Sequence, residues 1–225
     1  MKKIVYYILT TLMKREWLIG LLSNEEEKEL LEFKKQGYLY DIGWTKSIVT
    51  HTIVDKDNQP LPWVSYPFIH FIAGRLNKQL HIFEFGSGNS TLYYADKAAA
   101  VNSVEHDKFW FDKIKSTMPA NVNLFYCDLV PGGDYCKYAL TTNKQFDLII
   151  VDGRDRVNCC IKSIASLKPN GVVVLDDSER EKYKVGIDFL MEQGFKKIDF
   201  WGTAPSVSYL KCTTIFYRDG NCLGL

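Results

Sequence analysis

The stretch HIFEFGSGNST, from His81 to Thr91, constrains this chain more than any other. A short apolar run with the length of a buried strand stops at two glycines one residue apart, Gly86 and Gly88, and a helical pattern, Leu92-Tyr93-Tyr94-Ala95, begins directly after. A strand that turns through glycines into a helix brings backbone N–H groups and a positive helix end to one point. Gly86 permits the tight turn, and Gly88 lets a ligand approach the backbone without meeting a Cβ. A second apolar run, Val101-Asn102-Ser103-Val104-Glu105, ends in a carboxylate about 20 residues on, where an acid accepts hydrogen bonds from both hydroxyls of a ribose. The stretch is therefore expected to hold a nucleoside.

From His81 onward, strand-like and helix-like segments alternate. Strands are expected at 82–85, 100–105, 122–127, 146–151 and 171–175, and helices at 91–97, 107–116, 135–142 and 157–167. Such alternation predicts a parallel sheet covered on both faces, with ligands at the carboxyl ends of its strands. A further helix at 182–193 precedes two runs, 197–201 and 212–217, joined by a loop without a helix, which suits an antiparallel finish at the sheet edge. The first 60 residues read as a cap. It has a helix at 25–36, opened by the capping signal Ser23-Asn24-Glu25-Glu26, and β-branched residues between two turn-rich stretches that suit a hairpin. The expected division is thus a cap at 1–60 and a nucleoside-binding domain at 61–225.

The glycine loop carries more detail. A dinucleotide loop usually has a third glycine three residues after the second, and here that place is Thr91. Glu84, two residues before Gly86, offers a carboxylate to the loop's N–H groups and suits a cationic ligand. At these residues the chain resembles the class I S-adenosylmethionine-dependent methyltransferases. Their first motif, an acid, any residue, then Gly-x-Gly, is matched by Glu84-Phe85-Gly86-Ser87-Gly88, and their ribose acid by Glu105. The resemblance covers roughly residues 60 to 218. It implies an α/β, Rossmann-like doubly wound fold with a mostly parallel seven-stranded sheet and an antiparallel C-terminal hairpin. It also implies S-adenosylmethionine on Glu84, Gly86, Ser87, Gly88, Ser90, Glu105, His106 and Asp128, the last toward the adenine amino group. As a whole the chain is similar to the bacterial FkbM-like methyltransferases, which implies a small-molecule acceptor, a sugar or natural-product hydroxyl.

Further acids end the later strands: Asp152 with Asp155 nearby, and Asp176-Asp177. Crowded carboxylates repel unless a cation is close. Arg154, Arg156 and Arg180 are counter-charges for a salt-bridged rim; alternatively Asp152, Asp176 and Asp177 bind one Mg²⁺ through oxygens. The second pattern resembles the cation-dependent O-methyltransferases, with two departures: Asp-Asp stands for their Asp-Asn, and Asp155 stands where they carry a lysine base. Asp152 and Asp155 are the candidate bases for an alcohol acceptor. Trp44, Trp63 and Tyr66, with the loop 202–209, are candidates to wall the acceptor pocket; for any one of the three aromatics the favoured alternative is core between cap and domain. The rival functions are a nicotinamide-dependent oxidoreductase, which Thr91 disfavours, and a non-catalytic nucleoside-binding module.

Composition adds exclusions. The net charge of +1 gives no field that would draw nucleic acid. The six cysteines include no Cys-x-x-Cys, and several lie in apolar runs, which suits reduced thiols in a cytoplasmic protein. The apolar run 4–13, flanked by lysines and arginine, is too short to span a bilayer. A helix packed on the domain, or weak contact with a membrane surface, is expected there.

Overall fold

The computed structural model describes residues 24–33 and 35–225. The expectation for residues 4–13 lies outside them. Three short helices, α1 (Glu25–Glu32), α2 (Tyr38–Asp41) and α3 (Trp44–Thr50), precede α4 (Tyr66–Ala73). Alternation then begins with β1 (His81–Phe85), α5 (Asn89–Lys97), β2 (Ala100–Glu105), α6 (Lys108–Ile114), β3 (Val122–Tyr126) and α7 (Asp134–Thr141). It continues through β4 (Phe146–Val151), α8 (Arg156–Ser163), β5 (Leu167–Asp176) and α9 (Lys184–Glu192), and closes with β6 (Lys196–Ala204) and β7 (Val207–Tyr217). The strands form one seven-stranded sheet in the order β3-β2-β1-β4-β5-β7-β6. The first five are parallel, while β7 runs antiparallel to both β5 and β6.

This order follows from how the chain grows. It steps outward from β1 to β2 and β3, then returns to the other side of β1 with β4 and β5. The reversal leaves a crevice at the carboxyl ends of β1 and β4, the place where open α/β sheets bind ligands. The expected Rossmann-like fold with an antiparallel closing hairpin is the one observed.

Side-chain alternation along the strands divides the core in two. Ile82, Val101, Leu148, Ile150, Val172, Val174 and Ile215 pack under α4 and α5, with Phe68, Ile72, Tyr93 and Tyr94. Phe83, Phe85, Ile149, Val151, Val173, Leu175 and Phe216 pack on the other face under α7, α8 and α9, with Tyr135, Cys159 and Leu190. Phe146 joins the second set out of phase, because the register of β4 on β5 shifts between Phe146 and Leu148. Cys136, Cys159, Cys160 and Cys212 are buried and free, and burial pushes their thiols up, as expected of cysteines serving as small hydrophobes.

Several expected boundaries move. The hairpin expected before residue 60 is instead helix α3, with only a single antiparallel bridge between Val54 and Pro60. Ser47 explains the reversal: its hydroxyl donates to Val54 O at 2.7 Å and accepts from Val54 N, so one helical side chain satisfies the backbone that a partner strand would have served. The capping box falls one residue later than expected, on Asn24 and Glu27. The stretch 202–209 is a hairpin end and not an open loop, since β6 and β7 extend through it and turn tightly at Pro205-Ser206. Tyr66 is core, at 2% exposed, and Trp44 donates its indole N–H to Val207 O at 2.8 Å.

The aromatic centre of the sheet is the stability anchor. Phe83 has ring centroids of Phe85 and Phe146 at 4.8 and 5.2 Å and no exposure. Phe83→Ala is expected to lower the unfolding free energy by about 3–5 kcal/mol in urea titrations. Trp201→Ala, at a half-exposed position on the edge strand, should stay within about 0.5 kcal/mol.

Candidate functional site

The turn after β1 is held from below. Gly86 has φ +92°, and a Cβ on it would lie 3.1 Å from Gly153 Cα, so the turns after β1 and β4 touch backbone to backbone there. Gly88 has extended backbone (φ 162°), and a Cβ on it would meet no atom nearer than Trp110 Cζ2 at 3.8 Å. The space above Gly88 is open, and its value there is the clearance, not an unusual backbone angle.

Glu84 was expected to take the loop's N–H groups and face a cationic ligand. It lies instead fully buried under the loop and reaches it through hydroxyls. Thr91 Oγ1 donates to Glu84 Oε2 at 2.5 Å and accepts the Gly88 N–H at 3.0 Å. Ser103 Oγ lies 3.2 Å from the same Glu84 oxygen, 2.8 Å from Gly86 O and 2.6 Å from Ser87 Oγ. Glu84 Oε1 has no hydrogen-bond partner among the described residues. Burial pushes this carboxyl up to about 7, against the pull of the hydroxyls of Ser90, Thr91 and Ser103. Ser90 itself is half-buried in the first turn of α5.

Glu105 is the second fixed point. At 5% exposed, it accepts Ser87 N–H at 3.1 Å on Oε2, and His106 N–H and Asp107 N–H at 2.7 and 2.8 Å on Oε1. Its carboxylate thus ties the β1 turn to the β2 turn with one side of Oε2 still available. His106 Nδ1 sits 2.9 Å from Oε1. Trp110, which the sequence reading passed over, donates its indole N–H to Ser87 O at 2.8 Å and stands beside Gly88. Tyr126 pairs in register with Glu105, and its hydroxyl donates to the exposed Asp128. Tyr126, Cys127, Asp128, Val130, Gly133 and Asp134 line a cleft of about 420 Å³ at this edge. The loop residues, Glu105, His106 and Asp128 therefore gather along the ends of β1, β2 and β3, with Glu84 one layer beneath.

The other acids form a separate cluster at the ends of β4, β5 and β7. Asp177 has φ +53°, so the strand breaks after Asp176 and both carboxylates converge. They converge on a lysine: Lys211 Nζ lies 2.8 Å from Asp176 Oδ2 and 3.0 Å from Asp177 Oδ1, and also donates to Trp63 O. Arg156 reaches Asp152 Oδ1 at 3.0 Å and Asp177 Oδ2 at 3.3 Å, and Arg180 reaches Asp177 Oδ2 at 2.8 Å. Thr213 donates to the remaining Asp176 oxygen at 2.7 Å.

These partners form the salt-bridged rim, and the Mg²⁺ alternative on Asp152, Asp176 and Asp177 gains no support. Buried cations already take the carboxylates, and a divalent ion would be repelled by Lys211 and Arg156. Among the described residues no group of three or more His, Cys, Asp or Glu side chains is placed to hold a metal. Burial pulls the Lys211 ammonium down, but Asp176, Asp177 and Asp152 outweigh it and hold it above the ordinary lysine value. Asp152, a fifth exposed, is pushed well up by burial and then by Asp176, with Arg156 opposing. Asp155 is not part of this cluster. Its oxygens accept from Gly132 N–H at 2.8 Å and Asn158 Nδ2 at 2.7 Å, fastening the turn after β4 to the loop before α7.

No protein-family model and no curated protein matches the chain. Solved structures do. A precorrin 8w decarboxylase from Methanobacterium thermoautotrophicum is 15% identical with a TM-score of 0.51, over 75% of this chain and 97% of that one. A precorrin-6y C5,15-methyltransferase from Geobacter metallireducens GS-15 is 14% identical with a TM-score of 0.50, over 68% and 88%. At these identities the likeness is one of fold.

The raised carboxyl of Glu84 has a consequence for stability. Its folded value, about 7, lies above its ordinary 4.5, so the folded state holds the proton more tightly than the unfolded chain. The resulting stability is present below pH 4.5 and is lost as the pH rises through about 7. The loss is on the order of 3 kcal/mol, at 1.36 kcal/mol per pKa unit. Glu84→Gln keeps an acceptor for Thr91 and should flatten this part of the stability profile in urea titrations at stepped pH.

Proposed function

We propose that this chain transfers a methyl group from S-adenosylmethionine to a hydroxyl of a small molecule, such as a sugar or natural product. The observation that carries the reading is the Ser87 N–H on Glu105. It sets an open glycine turn and a ribose-competent carboxylate side by side at the switch point of the sheet.

The residues present fit the cofactor. Gly88 leaves clearance for a ligand, and Glu105 Oε2 retains capacity to accept a hydroxyl hydrogen. The cleft beside Tyr126 and Asp128 is large enough for a base, with Asp128 available to accept from an amino group. When bound, S-adenosylmethionine would supply an electrophilic methyl group. The chain's own part is then to position the acceptor in line and to take its proton, and positioning provides much of the rate. The neighbours' shared fold supports the reading at the level of architecture, whereas a closer kinship with FkbM-like enzymes gains no support from the comparisons.

Asp152 is the better of the two candidate bases. Asp155 is occupied by Gly132 and Asn158, whereas Asp152 uses only Oδ1, toward Arg156, and its raised carboxyl makes a stronger base once ionised.

Calorimetric titration with S-adenosylmethionine and turnover over a panel of hydroxyl acceptors test the proposal. Absence of binding, or preference for a nicotinamide dinucleotide, would reject it. Gly88→Val should weaken S-adenosylmethionine binding more than tenfold, because the branched side chain fills the open space. Its melting temperature should move little, since the backbone there is extended. Asp152→Asn should leave binding intact and lower kcat by about 100-fold or more. In the wild type kcat should rise with pH as the raised Asp152 carboxyl ionises, and the variant should lose that rise.

A further inference from the structure

At the carboxyl edge of β4 and β5 a cleft of about 290 Å³ opens between the turn that starts α8 and residues 180–183. Its wall includes Arg154, Arg156, Arg180, Lys182, Asp155 and Tyr183, four cations against one acid. Not all four are equally available. Behind the wall, Asp152, Asp176, Asp177 and Glu179 face Arg156, Arg180 and Lys211, four carboxylates against three cations. Arg154 and Lys182 stand outside that cluster. Both are exposed, and neither has a carboxylate partner among the described residues. The Lys182 ammonium lies 5.0 Å from the centroid of the Tyr183 ring, and Arg156 lies 5.4 Å from the same ring.

The single acid does not cancel them at the contact surface. The Asp155 oxygens are committed to Gly132 N–H and Asn158. Arg156 is locked by acceptors on Nε, Nη1 and Nη2, from Gly153 O, Asp176 O and Asp152, so it gives the cleft a rigid back wall rather than a swinging arm. An unpaired guanidinium and an unpaired ammonium over one small cleft, with the partly used Arg180 between them, suit a ligand carrying two negative charges and several acceptor oxygens.

We propose that this cleft binds a phosphate monoester group, and that the methyl acceptor is a phosphorylated small molecule held here by its phosphate. The second half of the proposal rests on the methyl-transfer reading, because it assigns the cleft to the acceptor. The first half stands without it. The cleft adjoins Asp152 through Arg156, so a phosphate seated in it fixes the acceptor on the side of the candidate base.

The test is calorimetry on the full chain, titrated with inorganic phosphate in a phosphate-free buffer, and separately with S-adenosylhomocysteine and acetate. Phosphate should bind, and more tightly than acetate, with affinity falling as salt is added. Arg154→Ala and Lys182→Ala should each weaken phosphate binding about tenfold, and the double variant should show none. S-adenosylhomocysteine affinity should be unchanged throughout. Lys196→Ala, a distant exposed cation paired with Asp219, should leave phosphate binding intact. Both cleft side chains are exposed, so circular dichroism should show folded variants. No phosphate binding by the wild type, wild-type phosphate binding by the double variant, or equal affinity for acetate would each overturn the phosphate site. Loss of S-adenosylhomocysteine binding alone, with phosphate retained, would sink the methyl-transfer reading and leave the cleft standing.

Discussion

A doubly wound sheet collects charge at one edge, and most of the local structure of this chain is a response to that. Every strand of the parallel set carries an acid within two residues of its carboxyl end, and an unpartnered carboxylate at a half-buried edge costs more free energy than the fold can spare. The chain answers in two ways. Around β1 and β2 the partners are neutral donors, with Glu105 taken by three backbone N–H groups and Glu84 by hydroxyls. Around β4, β5 and β7 the partners are cations, Arg156, Arg180 and Lys211. The same edge is therefore split into a half held by neutral donors and a half neutralised by cations. The proposed ribose and the proposed phosphorylated acceptor would each meet one of those two environments.

Much of the fold was legible in the sequence because burial on both faces leaves parallel strands as near-continuous apolar runs. Phe146-Asp147-Leu148-Ile149-Ile150-Val151 reads as a strand, and it is one. The glycine turn and Glu105 were legible for a different reason: a strand, a Gly-x-Gly and a distant acid leave few geometries open. What was lost was set by contacts remote in sequence. The β-branched residues 45–54 favour a strand locally, yet Ser47 back-bonded to Val54 makes a helix the better solution. Thr91 first read only as a missing glycine, but its hydroxyl is the link between Gly88 and Glu84.

Lys211 is the most instructive omission. With β7 expected to begin at Cys212, the lysine fell in a loop and carried no meaning. Extending the strand back puts Lys211 in phase with Thr213 and Ile215, both buried, and an inward lysine requires a carboxylate. The metal alternative for the acids at the end of β5 stayed open because Lys211 stood outside the expected strand. A period-two check across the boundary would have supplied it.

The antiparallel finish also leaves β6 as an outer strand, with no partner on its other side among the described residues. Strands of that kind invite pairing with another chain. Here the first half begins with the exposed pair Lys196 and Lys197, engaged by Asp219 and Asp199, which would have to be desolvated before a neighbour could add on. Its second half passes under the start of α4 so closely that a Cβ on Gly202 would lie 2.7 Å from the Pro67 ring. Charge at one end and a proline ring over the other make this border a poor template for self-association, so the sheet stops growing at its seventh strand.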